Sequence, residues 1–140
     1  MNEAELRQAM SALELYRTQL ESIAQNQQLV QMSLEELARA KETLTRYKDA
    51  PEGSELLVPI GGNSFIFAKV ATNSKAIVGL GTGVSVEKSM DEAVKTMESR
   101  ANELVDTMKK LDERRIALEQ QADQLSMAVQ QEMQAMQQLG

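Results

Sequence analysis

The sequence predicts an α+β fold in which a long antiparallel two-helix coiled coil carries two β-hairpins between its helices. Heptad patterns cover both ends of the 140 residues, and the middle is rich in Gly, Val, Ile and Phe. Aromatic residues make up only 3% of the chain, so a compact globular core is not expected. We therefore predict an N-terminal coiled-coil helix at residues 1–50, two hairpins at 51–88 and a C-terminal coiled-coil helix at 89–140.

The first helix is predicted from apolar residues that alternate at spacings of three and four. Only Gln27 and Lys41 interrupt this stripe, and such a pattern sustained over this length specifies a left-handed supercoil. Asn2 and Glu5 offer a cap at its start, and Pro51 helps to end it. The apolar stripe consists of Leu6, Ala9, Leu13, Tyr16, Leu20, Ile23, Val30, Leu34, Leu37 and Leu44.

A second stripe with the same spacing covers residues 90–139 and is broken by Arg115 and Glu132. Its apolar residues are Met90, Val94, Met97, Ala101, Leu104, Met108, Leu111, Leu118, Ala122, Leu125, Val129, Met136 and Leu139. Residues 89–92 read Ser-Met-Asp-Glu, a capping box that predicts the start of this helix. The polar interruptions of both stripes are expected to fix the register of the pair.

The two helices are expected to pair antiparallel, because the segment between them can turn the chain back. We place Leu44 beside Met90 in this pair. The last turns of the second helix, from about Gln130, then project beyond the start of the first helix.

The middle segment predicts two β-hairpins, because runs of β-branched and aromatic residues flank turns made of Gly, Asn, Ser and Thr. Pro59 cannot donate to a β-ladder, so we expect it at an edge, a strand end or a bulge. Four short strands expose their edges, and pairing with strands of other chains would make this segment an oligomerisation module. The predicted strands are 55–60, 65–70, 76–80 and 84–87, around turns at 61–64 and 81–83.

No residue of the chain is predicted to be catalytic. Residues 79–83 read Gly-Leu-Gly-Thr-Gly, but β-type residues follow and no Walker lysine is present, so we interpret them as a tight turn or bulge. The chain lacks both Cys and His, which removes thiolate metal ligands and the commonest general base. We therefore expect no enzyme, no metal site and no cofactor.

The charge and hydropathy of the chain limit its partners and its compartment. A formal net charge of -6 argues against a nucleic-acid partner, which would need Lys and Arg to neutralise phosphates. We see no signal peptide and no apolar stretch long enough for a membrane span. The expected compartment is the cytoplasm, with no membrane partner.

The central sequences carry a specific family resemblance. The chain has the order of a helix, ELLVPIGGNSFIFAKV (55–70), IVGLGTGVSVEKS (77–89) and a second helix. In this order it resembles the prefoldin family, in its archaeal alpha type, over essentially its whole length. The resemblance implies a hexamer of two alpha and four beta-type subunits, whose strands form a β-barrel body. It also implies that the coiled-coil tips hold non-native polypeptides without ATP and pass them to a group II chaperonin.

Two sets of residues are candidates for these roles. Met10, Leu15, Met127 and Met133 lie near the chain ends but off the stripes, and the residues alone leave both client contact and ordinary surface exposure open. The resemblance favours client contact. The full client-binding set is Leu6, Met10, Leu13, Leu15, Met127, Met133, Met136 and Leu139. The full oligomerisation set is Leu57, Val58, Ile60, Phe65, Phe67, Val70, Ile77, Val78, Leu80, Val84 and Val86.

The alternative hypothesis is a structural or adaptor coiled-coil oligomer whose arms bind one folded partner. It would require an apolar stripe on the outside of the arm along its whole length. Off-stripe apolar residues lie mainly near the chain ends, with Leu29 and Met32 as exceptions in the middle of the first helix.

Overall fold

The structure is a computed structural model that describes residues 2–139, and the predicted arrangement of two long helices around two hairpins is confirmed. The chain divides into two compact units. Unit 1 combines the residues up to Met32 with those from Leu104 onwards, and unit 2 is Ser33–Glu103. The elements in chain order are α1 (Glu3–Lys48), β1 (Glu55–Gly61), β2 (Ser64–Lys69), β3 (Lys75–Gly79), β4 (Ser85–Ser89) and α2 (Met90–Leu139).

Helix α1 begins with a complete capping box. The Glu5 amide donates to the Asn2 Oδ1 atom at 2.8 Å, and the Asn2 amide donates to a Glu5 carboxylate oxygen at 3.2 Å. These two bonds satisfy amides that have no partner inside the helix. The helix ends at Lys48, and the Ala50 amide closes a tighter turn just before Pro51, which cannot continue the helix.

The predicted apolar stripes are the least exposed faces of both helices. Every stripe position of α1 is buried or half-buried except Lys41. In α2 the same holds from Met90 to Glu132, whereas Met136 and Leu139 are exposed. The stripe is exposed only after Glu132, so the last turns of α2 leave the helix pair a few residues later than the predicted Gln130.

Two ion pairs give the register of the helices in unit 2. The Lys41 ammonium lies 3.0 Å from Glu98, and one heptad further on the Lys48 ammonium lies 2.5 Å from Asp91. The pairing is therefore antiparallel, as predicted. Leu44 lies between the two lysines, so it sits about one turn further along α2 than predicted, rather than beside the first residue of that helix.

The first hairpin turns at Gly62 and Asn63, whose φ angles are 57° and 55°. Positive φ at both central residues is typical of a two-residue type I′ turn, and the flanking Gly61 and Ser64 pair across it. The ladder is irregular between Pro59 and Gly61, which agrees with the expected edge or bulge position of the proline. Strands β1 and β2 form a separate two-stranded antiparallel sheet.

The second hairpin pairs β3 with β4, again as a separate two-stranded antiparallel sheet. Gly81 and Gly83 in its turn have φ angles of 82° and 80°, which favour glycine. The Leu80 amide donates to the Val84 carbonyl at 2.8 Å and closes the turn. The glycine-rich segment is therefore a strand connection, as the sequence indicates.

Unit 2 is held together by contacts that the sequence does not predict. The Arg100 guanidinium of α2 donates to the Gly79 carbonyl at the end of β3, at 2.5 Å. The Asn73 side-chain amide donates to the Ala50 carbonyl at 2.8 Å and connects the loop between the hairpins to the end of α1. The buried residues of unit 2 are Val70, Val78, Met90 and Ala93.

Candidate functional site

Unit 1 presents exposed apolar side chains near the free ends of both helices. On α1, Met10 and Leu15 are exposed, whereas Leu6 and Leu13 are half-buried on the stripe. The predicted client-binding set therefore divides into half-buried residues on the stripe and residues that are exposed to solvent. Its exposed members are Met10, Leu15, Met127, Met133, Met136 and Leu139, which we call the terminal apolar set.

The members of the terminal apolar set on α2 lie in surroundings with little charge. Residues 124–140 contain a single charged side chain, Glu132, among Gln, Met, Ala, Leu, Val and Ser. Apolar side chains on helix faces are usually separated by charged residues that keep the surface solvated. A surface with few charges can bind apolar segments of varied sequence, because no fixed charge must be matched or desolvated.

A groove of about 480 Å³ lies between the helices of unit 1. Leu13 and Leu20 of α1 line it together with three small side chains, Ala24, Ala122 and Ser126. Small side chains from both helices leave this space unfilled. The other lining residues are Arg17, Glu21 and Asp123.

The groove was not predicted from the sequence, although its signal is visible in the heptads. Ala122 occupies a stripe position where the neighbouring stripe residues Leu118 and Leu125 are larger. Facing small residues on two paired helices predict a gap only when the register of the pair is known.

A second candidate surface consists of apolar strand residues of unit 2. Phe67 and Ile77 are 81% and 76% exposed, although both belong to β-strands. Leu57 pairs with Phe67 and Pro59 pairs with Phe65, so these four side chains share one face of the first hairpin. The exposed apolar residues of the hairpins are Leu57, Ile60, Phe65, Ile66, Phe67, Ile77, Leu80 and Val84.

The residues predicted to mediate oligomerisation therefore differ in their exposure to solvent. Val70 and Val78 are buried within unit 2, where they support the fold of this chain, and Val58 and Val86 are half-buried. Ile66 is exposed but was not among the predicted residues. It alternates with Phe65 and Phe67 along β2, so its side chain lies on the opposite face of the strand.

The charged pairs of the helices are structural in character. Arg115 lies on the stripe of α2 and contacts two acids of its own helix, Asp112 at 2.6 Å and Glu119 at 3.0 Å. The hydrogen bonds that the Arg115 guanidinium donates to these carboxylates, to Asp112 first and then to Glu119, raise the pKa of Arg115. The hydrogen bond and charge of Lys48 likewise lower the pKa of Asp91. These pairs hold helix geometry and carry no perturbed acid or base suited to proton transfer at neutral pH.

Among residues 2–139, no group of three or more acidic side chains is arranged to hold a metal ion. Neither described helix contains a stretch apolar enough to cross a membrane.

Comparison with known proteins assigns the chain to a family. A model of the prefoldin subunit family matches residues 16–135. A prefoldin subunit alpha from Methanothrix thermoacetophila is 34% identical over 110 residues, which cover 79% of this chain and 72% of the relative. A prefoldin subunit alpha from Pyrococcus horikoshii is also 34% identical over 110 residues, covering 78% of this chain and 74% of that protein.

Solved structures share the same architecture. A filamentous PFD from Methanocaldococcus jannaschii, solved by cryo-EM, is 28% identical, with a TM-score of 0.58 over 88% of this chain and 96% of that chain. The prefoldin beta subunit from Thermococcus strain KS-1 shares the fold at 20% identity, with a TM-score of 0.56 over 91% of this chain and 90% of that chain. The chain therefore belongs to the prefoldin family of chaperone subunits, and both curated relatives described above are alpha subunits.

Proposed function

We propose that this chain is a subunit of an ATP-independent holdase, which binds non-native polypeptides at its helix ends and prevents their aggregation. The observation that carries the proposal is the terminal apolar set of unit 1, whose members on α2 are exposed on a stretch with a single charged residue. Clustered exposed apolar side chains of this kind are typical of interaction sites.

The chemistry of the terminal apolar set suits clients without a fixed structure. Three of its members on α2, Met127, Met133 and Met136, have flexible and polarisable side chains that adapt to different apolar partners. Each contact is weak. Several arms that bind one client at once would raise the affinity, because every further contact forms at a high effective concentration.

Assembly is assigned to the exposed strand residues of unit 2. Each hairpin is a two-stranded sheet with open edges and exposed aromatic or aliphatic side chains, which strands from other chains could cover. The proposed partners are beta-type prefoldin subunits, in a hexamer of two alpha and four beta chains with a β-barrel body. Transfer of the client to a group II chaperonin, in the cytoplasm, belongs to the same proposal.

A second candidate function is an adaptor that binds one folded partner. Its specific support is the exposure of Leu29 and Met32 on α1, away from the chain ends. Residues 22–34 carry no charge, so these two side chains lie in another neutral stretch. The stretch is short compared with the arm, whereas a folded partner lying along a coiled coil would need a longer apolar stripe.

The first experiment follows light scattering of a denatured enzyme that is diluted into buffer without ATP. The chain is added alone and then with a beta-type prefoldin subunit, and the assembled species is followed by native mass spectrometry. Suppressed scattering together with a six-chain mass supports the proposal. A stable assembly that leaves scattering unchanged contradicts the holdase function and favours the adaptor.

A matched pair of double variants locates the client contact. Met127→Gln with Met133→Gln changes residues that are 60% and 47% exposed near the end of α2. Leu29→Gln with Met32→Gln changes residues that are 62% and 58% exposed in the middle of α1. Because exposure is similar, both variants should keep the helicity of the parent, measured by circular dichroism. Only the first variant should hold clients less well, and the opposite order would favour the adaptor.

Truncation separates holding from assembly. Removing about the first ten and the last fifteen residues deletes Met10 and the exposed end of α2 but leaves both hairpins intact. We expect loss of holding while native mass spectrometry still shows the same number of chains in the assembly, since the exposed strand residues remain. Loss of the assembly itself would refute this division of roles.

A further inference from the structure

All sulfur in this chain is thioether sulfur, because the sequence has nine methionines and no cysteine. Thioethers are oxidised by peroxides to sulfoxides, and exposure governs how fast each one reacts. Any sulfur-based response of the chain to oxidants must therefore act through methionine.

The described methionines fall into two groups by exposure. Met90 is buried, and Met97 and Met108 are half-buried on the stripe of α2. Five methionines are 47% to 60% exposed: Met10, Met32, Met127, Met133 and Met136.

Four of the five exposed methionines belong to the terminal apolar set, and Met32 does not. We call these four, Met10, Met127, Met133 and Met136, the terminal methionines. Of the six residues of that set, only Leu15 and Leu139 are not methionine. The side chains that give this surface its apolar character are thus mostly those that an oxidant can reach and convert to polar groups.

We propose that the terminal methionines are a reversible oxidation site, at which peroxides switch off the binding of apolar polypeptide segments. The consequence for binding rests on the function proposed above, whereas the preferred oxidation of these four residues does not. The oxidant is hydrogen peroxide or an organic hydroperoxide.

The reaction is a two-electron oxygen transfer. The thioether sulfur attacks one peroxide oxygen, an S–O bond forms and the O–O bond breaks. The sulfur is oxidised to the sulfoxide, and the remaining oxygen takes up a proton and leaves as water or, from a hydroperoxide, as an alcohol. Methionine sulfoxide reductases reverse this change, so the site can be restored.

The sulfoxide alters the surface without a change of fold. Its S–O group is polar and hydrogen-bonds to water, so apolar client segments lose the contact that drove binding. Met90 is buried, and Met97 and Met108 are partly covered, so these three stripe residues should keep their thioethers at a dose that oxidises the exposed methionines. Met136 also belongs to the stripe, but it lies after Glu132, where the stripe is exposed. Helicity and assembly should therefore survive a dose of peroxide that removes binding.

The first test needs no client. The full chain is treated with graded hydrogen peroxide and digested, and the gain of one oxygen at each methionine is followed by mass spectrometry. We expect the terminal methionines to react at least about fivefold faster than Met90, Met97 and Met108, in the order of their exposure. Equal rates for the terminal and the covered methionines would overturn the proposed site.

The second test measures binding before and after oxidation, in the same assembly and scattering assay as above. Oxidation of the parent chain should raise the concentration needed for half-maximal suppression by about tenfold, since four apolar groups become polar. Treatment with sulfoxide reductases should restore it. An oxidised assembly that holds clients as well as the reduced one would overturn the switch.

The matched control replaces the four terminal methionines by leucine, which is apolar and close in volume. The concentration of this variant needed for half-maximal suppression is compared before and after peroxide, and peroxide should leave it unchanged even though Met32 is still oxidised. A loss of holding in this variant after peroxide would assign the effect to another residue and refute the proposal. If the untreated parent does not hold clients, the proposed function fails, while the order of oxidation still decides whether the site exists.

Discussion

Ile23 tests whether the apolar stripe holds the helices of unit 1 together. It is only 3% exposed, on a stripe position of α1. Ile23→Ala removes three carbon atoms, and at about 0.8 kcal/mol for each buried carbon this costs about 2.4 kcal/mol. The cavity that remains adds to this, so we expect a loss of about 3 kcal/mol in the free energy of local unfolding of unit 1.

The matched control is Leu29→Ala on the same helix. Leu29 is 62% exposed, so the same kind of truncation removes little buried surface. We expect a change of less than about 0.5 kcal/mol. The two variants thus compare the truncation of an aliphatic side chain on the stripe with the truncation of an aliphatic side chain off the stripe.

The assay is native-state hydrogen exchange of the full chain, read by mass spectrometry on peptides of unit 1. A loss of about 3 kcal/mol corresponds to exchange about a hundredfold faster through local opening. Peptides of the hairpins provide an internal reference and should keep their protection. Equal exchange in the Ile23→Ala and Leu29→Ala variants would refute the conclusion that the stripe stabilises this unit.

Three further changes test the turn and the two ion pairs of unit 2. Asn63→Val should destabilise the first hairpin by about 1–2 kcal/mol because Asn63 has a positive φ, while Asn63→Gly should be tolerated, as measured by hydrogen exchange. Lys41→Glu should lower the free energy of unfolding by less than about 1 kcal/mol, as measured by thermal unfolding, and adding Glu98→Lys should recover that stability. Both effects should be smaller at high salt. Asp91→Asn should lower the melting temperature slightly at neutral pH, because the bond from Lys48 lowers the pKa of Asp91. A lowered pKa in the folded state stabilises above the ordinary value of 3.8 and loses its effect as the pH falls through the folded-state pKa, so the two melting temperatures should converge in acid.

Each of these changes has an outcome that would contradict it. Equal protection of the hairpin in the Asn63→Val and Asn63→Gly chains would show that the positive φ carries no cost. A Lys41→Glu chain that Glu98→Lys does not rescue would show that the two charges do not interact. A difference between Asp91→Asn and the parent that persists in strong acid would point to a cause other than the carboxylate charge.

Local sequence signals predicted the elements of this fold well, because each depends on residues close together in the chain. The stripe positions of α1 came from spacing alone, and all except Lys41 are buried or half-buried. Gly62 and Asn63 marked a turn because they tolerate positive φ, and they adopt it. The box of Asn2 and Glu5 needed only four residues, and both of its hydrogen bonds form.

The register of the helix pair was predicted less well, because it depends on contacts between distant residues. A heptad stripe offers similar apolar contacts when one helix slides along the other by about a turn. The ion pairs of Lys41 and Lys48 distinguish these registers, but they become visible only in the folded chain. The bond from Arg100 to the Gly79 carbonyl is of the same kind, since no pattern links these two positions in the sequence.

The candidate surfaces were also predicted only where they depend on a single helix. Met10 and Met127 were predicted to be exposed because they lie off the stripes, and both are. The groove beside Leu20 was missed, because it depends on which small residues of α2 face those of α1. Position along one helix can be predicted from periodicity, whereas a gap between two helices requires their register.

The open hairpins also affect how the cell must supply this protein. A chain made in excess of its partner would leave Phe67 and Ile77 in water, on strands whose edges can pair with any other exposed strand. Such surplus chains would be prone to aggregate, because exposed apolar surface and unpaired strand edges promote aggregation. In the proposed assembly, balanced synthesis of the two kinds of subunit is therefore a requirement set by two small sheets.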